Sequence, residues 1–196
     1  MLRLVLETSS LPGTWVLARQ GQILASGSCP ESVTASLVPS LRQNFPKEMK
    51  PEQIIVGVGP GSFSAIRSAI AAAEGMAAVW RCPVLPVRST GAIAWCHSQT
   101  RLLGVFSDAR RGDFFVTYYS HGVLQKPTAV YPMNRLPEFL APCTTSVSPD
   151  ALPGVSACEK PEASSLSAFL HAHGLEPGLL LEPIHLRPAL SPATPA

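Results

Sequence analysis

Residues 57–81 read Gly57-Val-Gly-Pro-Gly-Ser-Phe-Ser-Ala-Ile-Arg-Ser-Ala-Ile-Ala-Ala-Ala-Glu-Gly-Met-Ala-Ala-Val-Trp-Arg81. The apolar run Ile54-Ile55-Val56 leads in as a short strand, and a glycine-rich turn converts it into a long helix. That helix is apolar on almost every side. Its polar positions, Ser64, Arg67, Ser68 and Glu74, fall on one narrow stripe at helical spacing. A helix lying on a single sheet needs only one apolar stripe. The surplus predicts that something besides its own sheet covers it.

Working outward, Leu2 to Thr8 reads as a buried strand, and Thr14–Arg19 and Gln22–Ser28 as two more, joined by a hairpin at Gln20-Gly21. Val33, Leu37, Leu41 and Phe45 give a helical pattern over 33–45, which Pro39 is expected to kink or bound. After the long helix, Pro83–Val87 is a strand, and Ser89 is placed to cap a helix over Ala92–His97. The first hundred residues thus read β-β-β-α-β-α-β-α, the order of an RNase H-type, actin-like core.

From Arg101 the pattern changes. Strands are expected at Leu102–Phe106 and Phe114–Tyr119 around a polar turn, Asp108–Asp113. An edge strand broken by Pro127 follows at Leu124–Tyr131, after a turn at His121-Gly122. Asn134 caps a short helix through Leu140, Cys143–Val147 is a weak strand, and Ser164–His173 is a helix stopped by Gly174. No internal repeat is visible. The expected division is an N-terminal lobe at 1–100, a reduced C-terminal lobe at 101–185 and a Pro-rich, disordered tail at 186–196.

Composition narrows the function classes. The 196 residues are 46% apolar and only 14% charged, which favours a protein with a partner. The net charge of +2, with scattered Lys and Arg, gives no electrostatic case for nucleic-acid binding. Five cysteines without CxxC spacing argue against zinc and against a disulfide framework. They read as reduced, mostly buried thiols of a cytoplasmic protein. No stretch approaches the ~20 apolar residues of a membrane span. No metal and no cofactor are expected.

Three stretches carry candidate chemistry. Gly59, Gly61 and Ser62 sit where backbone N–H groups at a helix start can hold an anion. No Lys-Ser or Lys-Thr follows, so the turn is no P-loop, and a tight turn with Ser62 as N-cap is the favoured reading. Glu7 ends the first strand, where actin-like ATPases place an acid. Asp108 is the only other acid available to join it, so a remnant of the fold is favoured over a metal ligand. At Asp108–Asp113 two readings stand: Arg110 and Arg111 bind a phosphate or carboxylate, or the segment is a solvated tip with Asp108 in an Asx turn. The five histidines form no site. No catalytic set emerges.

Gly59-Pro-Gly-Ser-Phe-Ser-Ala-Ile-Arg67 resembles the Gly-Pro-Gly-Ser-Phe-Thr-Gly-Leu-Arg segment of the bacterial TsaB (YeaZ) family. Leu6-Glu7-Thr8-Ser9 is similar to its first-strand Asp-Thr-Ser. Pro83-Val84 to Ser89-Thr90 is similar to its Pro-Val…Val-Ser-Thr-Leu segment, and Asp108-Ala-Arg-Arg-Gly-Asp113 to its Asp-Ala-Arg-x-Gly-Glu-Val-Tyr turn. Pro183-Ile-His-Leu-Arg187 resembles the closing Pro-x-Tyr-Leu-Arg. Five motifs in order span nearly the whole chain. Ala65 and Ala69 stand where that family usually has glycines, Val33 near a common His, and Glu7 in place of Asp.

The resemblance implies an α/β actin-like (RNase H-type, ASKHA) fold of two lobes, the second reduced. It implies a non-catalytic partner of TsaD in making threonylcarbamoyladenosine beside the tRNA anticodon. TsaE is a third member, a homodimer of the chain is a further implied pairing, and tRNA is met only through the complex. The implied contact uses the N-terminal lobe and the helix after the glycine turn. Two apolar lines run along that helix: Phe63, Ile66, Ile70, Ala73, Ala77 and Trp80, and Ala65, Ala69, Ala72, Met76 and Val79. The second, made of small residues, is expected to meet the partner, with Arg67 at the rim. The candidate interface is therefore Phe63, Ala65, Ile66, Arg67, Ala69, Ile70, Ala72, Ala73 and Met76. On this reading Ala69→Glu spares the fold and abolishes partner binding. Glu7, Gly59, Gly61, Ser62 and Asp108 are a candidate vestigial anion or nucleotide site. The alternative function is an autonomous actin-like ATPase or phosphotransferase using Glu7 and Asp108. A metalloprotease is disfavoured, since no His-x-x-x-His helix is present.

Overall fold

A computed structural model describes residues 1–184. The expected tail at 186–196 lies outside the described residues, as does the end of the closing motif at 185–187. In chain order the elements are β1 (Leu2–Glu7), β2 (Gly13–Arg19), β3 (Gln22–Cys29), α1 (Val33–Asn44), β4 (Gln53–Gly57), α2 (Phe63–Trp80), β5 (Val84–Val87) and α3 (Thr90–Cys96). There follow β6 (Leu103–Arg110), β7 (Asp113–Ser120), β8 (Val123–Pro132), a 3-10 turn (Met133–Arg135), α4 (Leu136–Leu140), β9 (Thr145–Ser148), β10 (Ala157–Cys158) and α5 (Ala163–His173).

Two five-stranded sheets organise these elements, in the orders β3-β2-β1-β4-β5 and β10-β9-β6-β7-β8. In the first, β1, β2 and β3 pair antiparallel, while β4 and β5 run parallel to β1 and to each other. In the second, β6, β7 and β8 pair antiparallel, and β9 and β10 continue parallel from β6. The two sheets have the same topology. This is the expected α/β actin-like fold of two lobes, and it contains a structural repeat that the sequence hides. In each lobe the second and third strands are joined through matching hairpins. Gln20-Gly21 and His121-Gly122 both take positive φ at both residues, the geometry that suits the right-handed twist of the strands.

The second lobe is reduced in helices rather than strands. Where α2 connects β4 to β5, only residues 149–156 connect β9 to β10. The layers run α1/α2, first sheet, α3/α5, second sheet, α4. Leu2, Leu4, Leu6, Leu17, Ile54 and Val56 point to α1 and α2, and Val5, Val16 and Ile55 to Ala163, Leu166 and Leu170 of α5. This alternation is the two-residue period of a strand covered on both faces. Each fully buried Leu or Ile contributes ~1.5–3 kcal/mol. On the outer face of the second sheet, Phe106, Phe114 and Val116 pack under Leu136, Phe139, Leu152 and Val155.

Several local expectations change. Pro39 lies inside α1 without ending it. Its missing N–H is outweighed by burial of Val33, Leu37 and Leu41, and by the Trp15 indole N–H donating to Ser40 Oγ at 3.0 Å. Ser89 does not cap α3; its hydroxyl accepts from the Gly59 N–H instead, at 3.0 Å. β6 runs on to Arg110, so the turn is only Arg111-Gly112. Pro127 bends the ladder of β8 and does not break it: the register shifts between the pairs Val116–Ala129 and Tyr118–Lys126. Asn134 lies in the 3-10 turn, and α4 starts after Arg135. Of the cysteines only Cys29 is buried; Cys82 and Cys143 are half-buried, and Cys96 and Cys158 are exposed.

Candidate functional site: the glycine turn and the faces of α2

The turn between β4 and α2 is held by groups of its own chain. Gly59 has φ 96° and Gly61 φ 156°, conformations glycine adopts readily. A Cβ on Gly61 would lie 2.3 Å from the Ser9 carbonyl oxygen, so the close approach of the two segments requires glycine there. The Ser62 N–H donates to that same carbonyl at 2.7 Å. With the Gly59 N–H engaged by Ser89, two of the amides that would cradle a phosphate are already used. Ser62 occupies the N-cap position, and its side chain makes no capping bond. The tight-turn reading holds, with the cap supplied by Ser9.

Glu7 belongs to this cluster. It is 1% exposed, and its Oε1 accepts from the Ser9 N–H at 2.8 Å and the Ser9 hydroxyl at 2.6 Å. Burial pushes its carboxyl pKa up, against the lowering effect of the Ser9 hydrogen bonds. Its Oε2 has no hydrogen-bond partner among the described residues. A Cβ on Gly57 would fall 2.0 Å from that oxygen, so the absent side chain at Gly57 makes room for the carboxyl.

Asp108 is not brought into this cluster by any bond. It stands at the matching place in the second sheet, and its carboxylate accepts from the Arg110 N–H at 2.6 Å and from the Arg110 guanidinium at 2.9 Å. Its own N–H donates to Asp150 Oδ2 at 2.8 Å. The Asx-turn reading of this segment is correct, and Arg110 is occupied by it. Among the described residues, no group of three or more His, Cys, Asp or Glu side chains is placed to hold a metal ion. No helix there is long and apolar enough to cross a membrane.

The placement of the α2 residues overturns the expected interface. Ala65, Ile66, Ala69, Ile70 and Ala73 are buried within the chain, at 9% exposure or less, and Ala72 and Met76 are half-buried. They share one apolar cluster with Val33, Leu37 and Leu41 of α1. The surplus apolar surface therefore meets α1 of the same chain, and Ala65, Ile66, Ala69, Ile70 and Ala73 offer no open contact face. The Thr34 and Ser68 hydroxyls, 2.8 Å apart, join the two helices further.

What faces outward is the third side: Ser64, Arg67, Ala71, Glu74, Gly75 and Ala78, bordered by Phe63 and Val79. Phe63 is 49% exposed, Val79 77%, and Val38 on the neighbouring α1 58%. The Arg67 guanidinium lies 5.6 Å from the Phe63 ring centre. Of the expected interface residues, only Phe63 and Arg67 are on this face. Ala71, Gly75 and Ala78 were missed; they stand among the polar residues that a sequence reading assigns to solvent. The signal for them is Gly75. A Cβ there would meet nothing within 4 Å among the described residues, so none of them requires glycine, which costs a helix ~1 kcal/mol relative to Ala.

Comparison with known proteins adds to this geometry. Residues 41–126 match the family described as TsaD: tRNA N6-adenosine threonylcarbamoyltransferase. That span includes only the last turn of α1, and then every element from β4 through α2 to β7. The fold is that of YeaZ from Pseudomonas aeruginosa, with a TM-score of 0.72 at 24% identity, over 94% of this chain and 99% of that one. A second solved structure, of a protein with similarity to peptidase YEAZ from Pseudomonas aeruginosa, has a TM-score of 0.72 and 24% identity, over 95% and 99%. No curated protein matches the chain in sequence. The likeness read from the five sequence motifs and the likeness in fold point to the same relatives.

Proposed function

We propose that this chain is a TsaB-type, non-catalytic partner of a TsaD protein in threonylcarbamoylation of the tRNA adenosine beside the anticodon. It acts in the cytoplasm, and it meets tRNA through that complex. The observation that carries the reading is the outward face of α2. Ser64, Ala71, Gly75 and Ala78 form a shallow central line, with Phe63 and Val79 as apolar borders. A face with so little side-chain bulk lets a second helix approach closely, at the 8–10 Å spacing of packed helices. Arg67 and Glu74 stand on one border, available to a charged partner.

Two further features support the non-catalytic part. The Gly59 and Ser62 amides are bonded within the chain, and the Glu7 carboxyl is sealed among Ser9, Ser89 and Gly57. Both would have to be dismantled to admit a nucleotide phosphate. The test is co-purification of the full chain with TsaD from the same source, and calorimetry of the chain alone with ATP and magnesium. Complex formation with no heat of ATP binding is expected. Tight ATP binding by the chain alone would turn the assignment to an autonomous actin-like ATPase.

A further inference from the structure

Arg88 occupies a place where three separate parts of the chain meet. It follows β5 in the first lobe and is 7% exposed. Its Nε and one terminal nitrogen donate to the two carboxylate oxygens of Glu176, at 3.0 and 2.5 Å. The other terminal nitrogen donates to Thr128 Oγ1 of β8, in the second lobe, at 2.7 Å, and Thr128 in turn bonds the Thr117 hydroxyl of β7 at 2.8 Å. Beside this group the Tyr119 hydroxyl of β7 bonds Thr90 of α3 at 2.7 Å. A two-pronged guanidinium–carboxylate pair fixes orientation as well as distance. The seam between the lobes is closed by this network.

Glu176 belongs to residues 175–184, which have no helix or strand of their own. This strap leaves α5 on one face of the first sheet and reaches the other face, where Leu179, Leu181 and Ile184 pack against the α1/α2 cluster. There the Ile184 N–H donates to the Val58 carbonyl at 2.8 Å, one residue before the glycine turn. Ser89, next to Arg88, bonds Gly59 in both directions: its N–H donates to the Gly59 carbonyl at 2.9 Å and its hydroxyl accepts from the Gly59 N–H.

We propose that the Arg88–Glu176 pair is a latch that clamps the 175–184 strap across the seam and, through Val58 and Ser89, holds the turn from which α2 starts. A segment without secondary structure is placed only by its few tertiary bonds, so its opening free energy is set locally. Hydrogen bonds to charged groups carry more of such energy than neutral ones. The inference concerns the isolated chain and stands whether or not TsaD is the partner.

The test is amide hydrogen exchange, read residue by residue, on the full chain and on the variants Glu176→Gln and Glu176→Asp. Glu176 is on a surface segment, so both should fold. In Glu176→Gln the amides of the strap, Ile184 included, should exchange about tenfold faster or more. Gly59 and Ser62 should follow, while β1 and β6 stay as in the wild type. Glu176→Asp keeps the charge and should fall between the two. Unchanged strap exchange in Glu176→Gln would overturn the latch, as would a strap that opens while Gly59 and Ser62 do not respond. A uniform rise over the whole chain would also overturn it, because the pair would then support global stability only.

Discussion

The two lobes share one strand order yet differ at one connection. Between β4 and β5 the first lobe has an 18-residue helix, α2; between β9 and β10 the second has residues 149–156. The loop suffices to cover its sheet, because Leu152 and Val155 reach the Phe106–Phe114 cluster with help from α4. A sheet of this topology can therefore be covered without a helix at that position. In the first lobe α2 does more: one side lies on the sheet, one on α1, and a third is exposed among the described residues. The same contrast applies to the acids at the ends of the first strands. Glu7 is sealed beneath the α2 turn, whereas Asp108 opens into a hairpin with Arg110.

Charge at the inner side of α2 should break the first lobe outright. Ala69 is 0% exposed, so Ala69→Glu buries a carboxylate without a partner, a change costing ~3–5 kcal/mol. Leu152→Glu, in the loop that replaces α2, should cost ~1 kcal/mol, since Leu152 is only half-buried and its loop can give way. Urea midpoints of the two variants compare them directly. Equal losses would mean that the loop is as tightly built as the helix. With Ala69 fully buried, Ala69→Glu does not spare the fold, contrary to what the sequence alone predicts.

The two acids should respond differently to removal of their charge. Burial holds the Glu7 carboxyl above its ordinary value of 4.5, so the native state binds that proton more tightly than the unfolded chain does. Stability therefore falls as pH rises from 4.5 through the raised native value, and the cost is fully present above it. Glu7→Gln should leave stability near pH 4 almost unchanged and raise it at pH 8, with Gln Oε1 still accepting from Ser9. Asp108→Asn should lose stability slightly rather than gain it, because the Arg110 ion pair goes with the charge. Thermal melts across pH 4 to 8 measure both. A Glu7→Gln variant less stable than the wild type at pH 8 would show that the charged carboxylate is the stabilising form.

The smallest effect is expected at Gly75. With open space around its missing Cβ, Gly75→Ala should raise the stability of the isolated chain by ~0.5–1 kcal/mol through helix propensity alone. A loss would mean that the outward side of α2 is constrained within the chain.

Much of this was legible in the sequence, for local reasons. Gln20-Gly21 and His121-Gly122 announce hairpins because turn chemistry is read from adjacent residues. The long helix is announced by its turn and its length. What was not legible depends on partners far along the chain. The two apolar lines of α2 are equivalent by periodicity, and only the docking of α1 decides that Ala65 and Ala69 face inward. Ser89 looks like a helix cap until Gly59 is found beside it, 30 residues away. Arg88 and Glu176, 88 residues apart, carry no mutual signal. The repeat of the two lobes is invisible because it is kept in strand order, while the helix that would reveal it is missing from one of them.

The proposal that α2 is a docking surface is tested most directly by Ala71→Arg, in the middle of the outward face and away from every buried contact. The measurement is a calorimetric titration of TsaD from the same source with wild-type and variant chains, alongside their urea midpoints. The variant should keep its stability within ~0.5 kcal/mol and lose at least about tenfold in affinity, the 1.4 kcal/mol of one displaced close contact. Undiminished binding by a folded Ala71→Arg chain would contradict the docking role of this face.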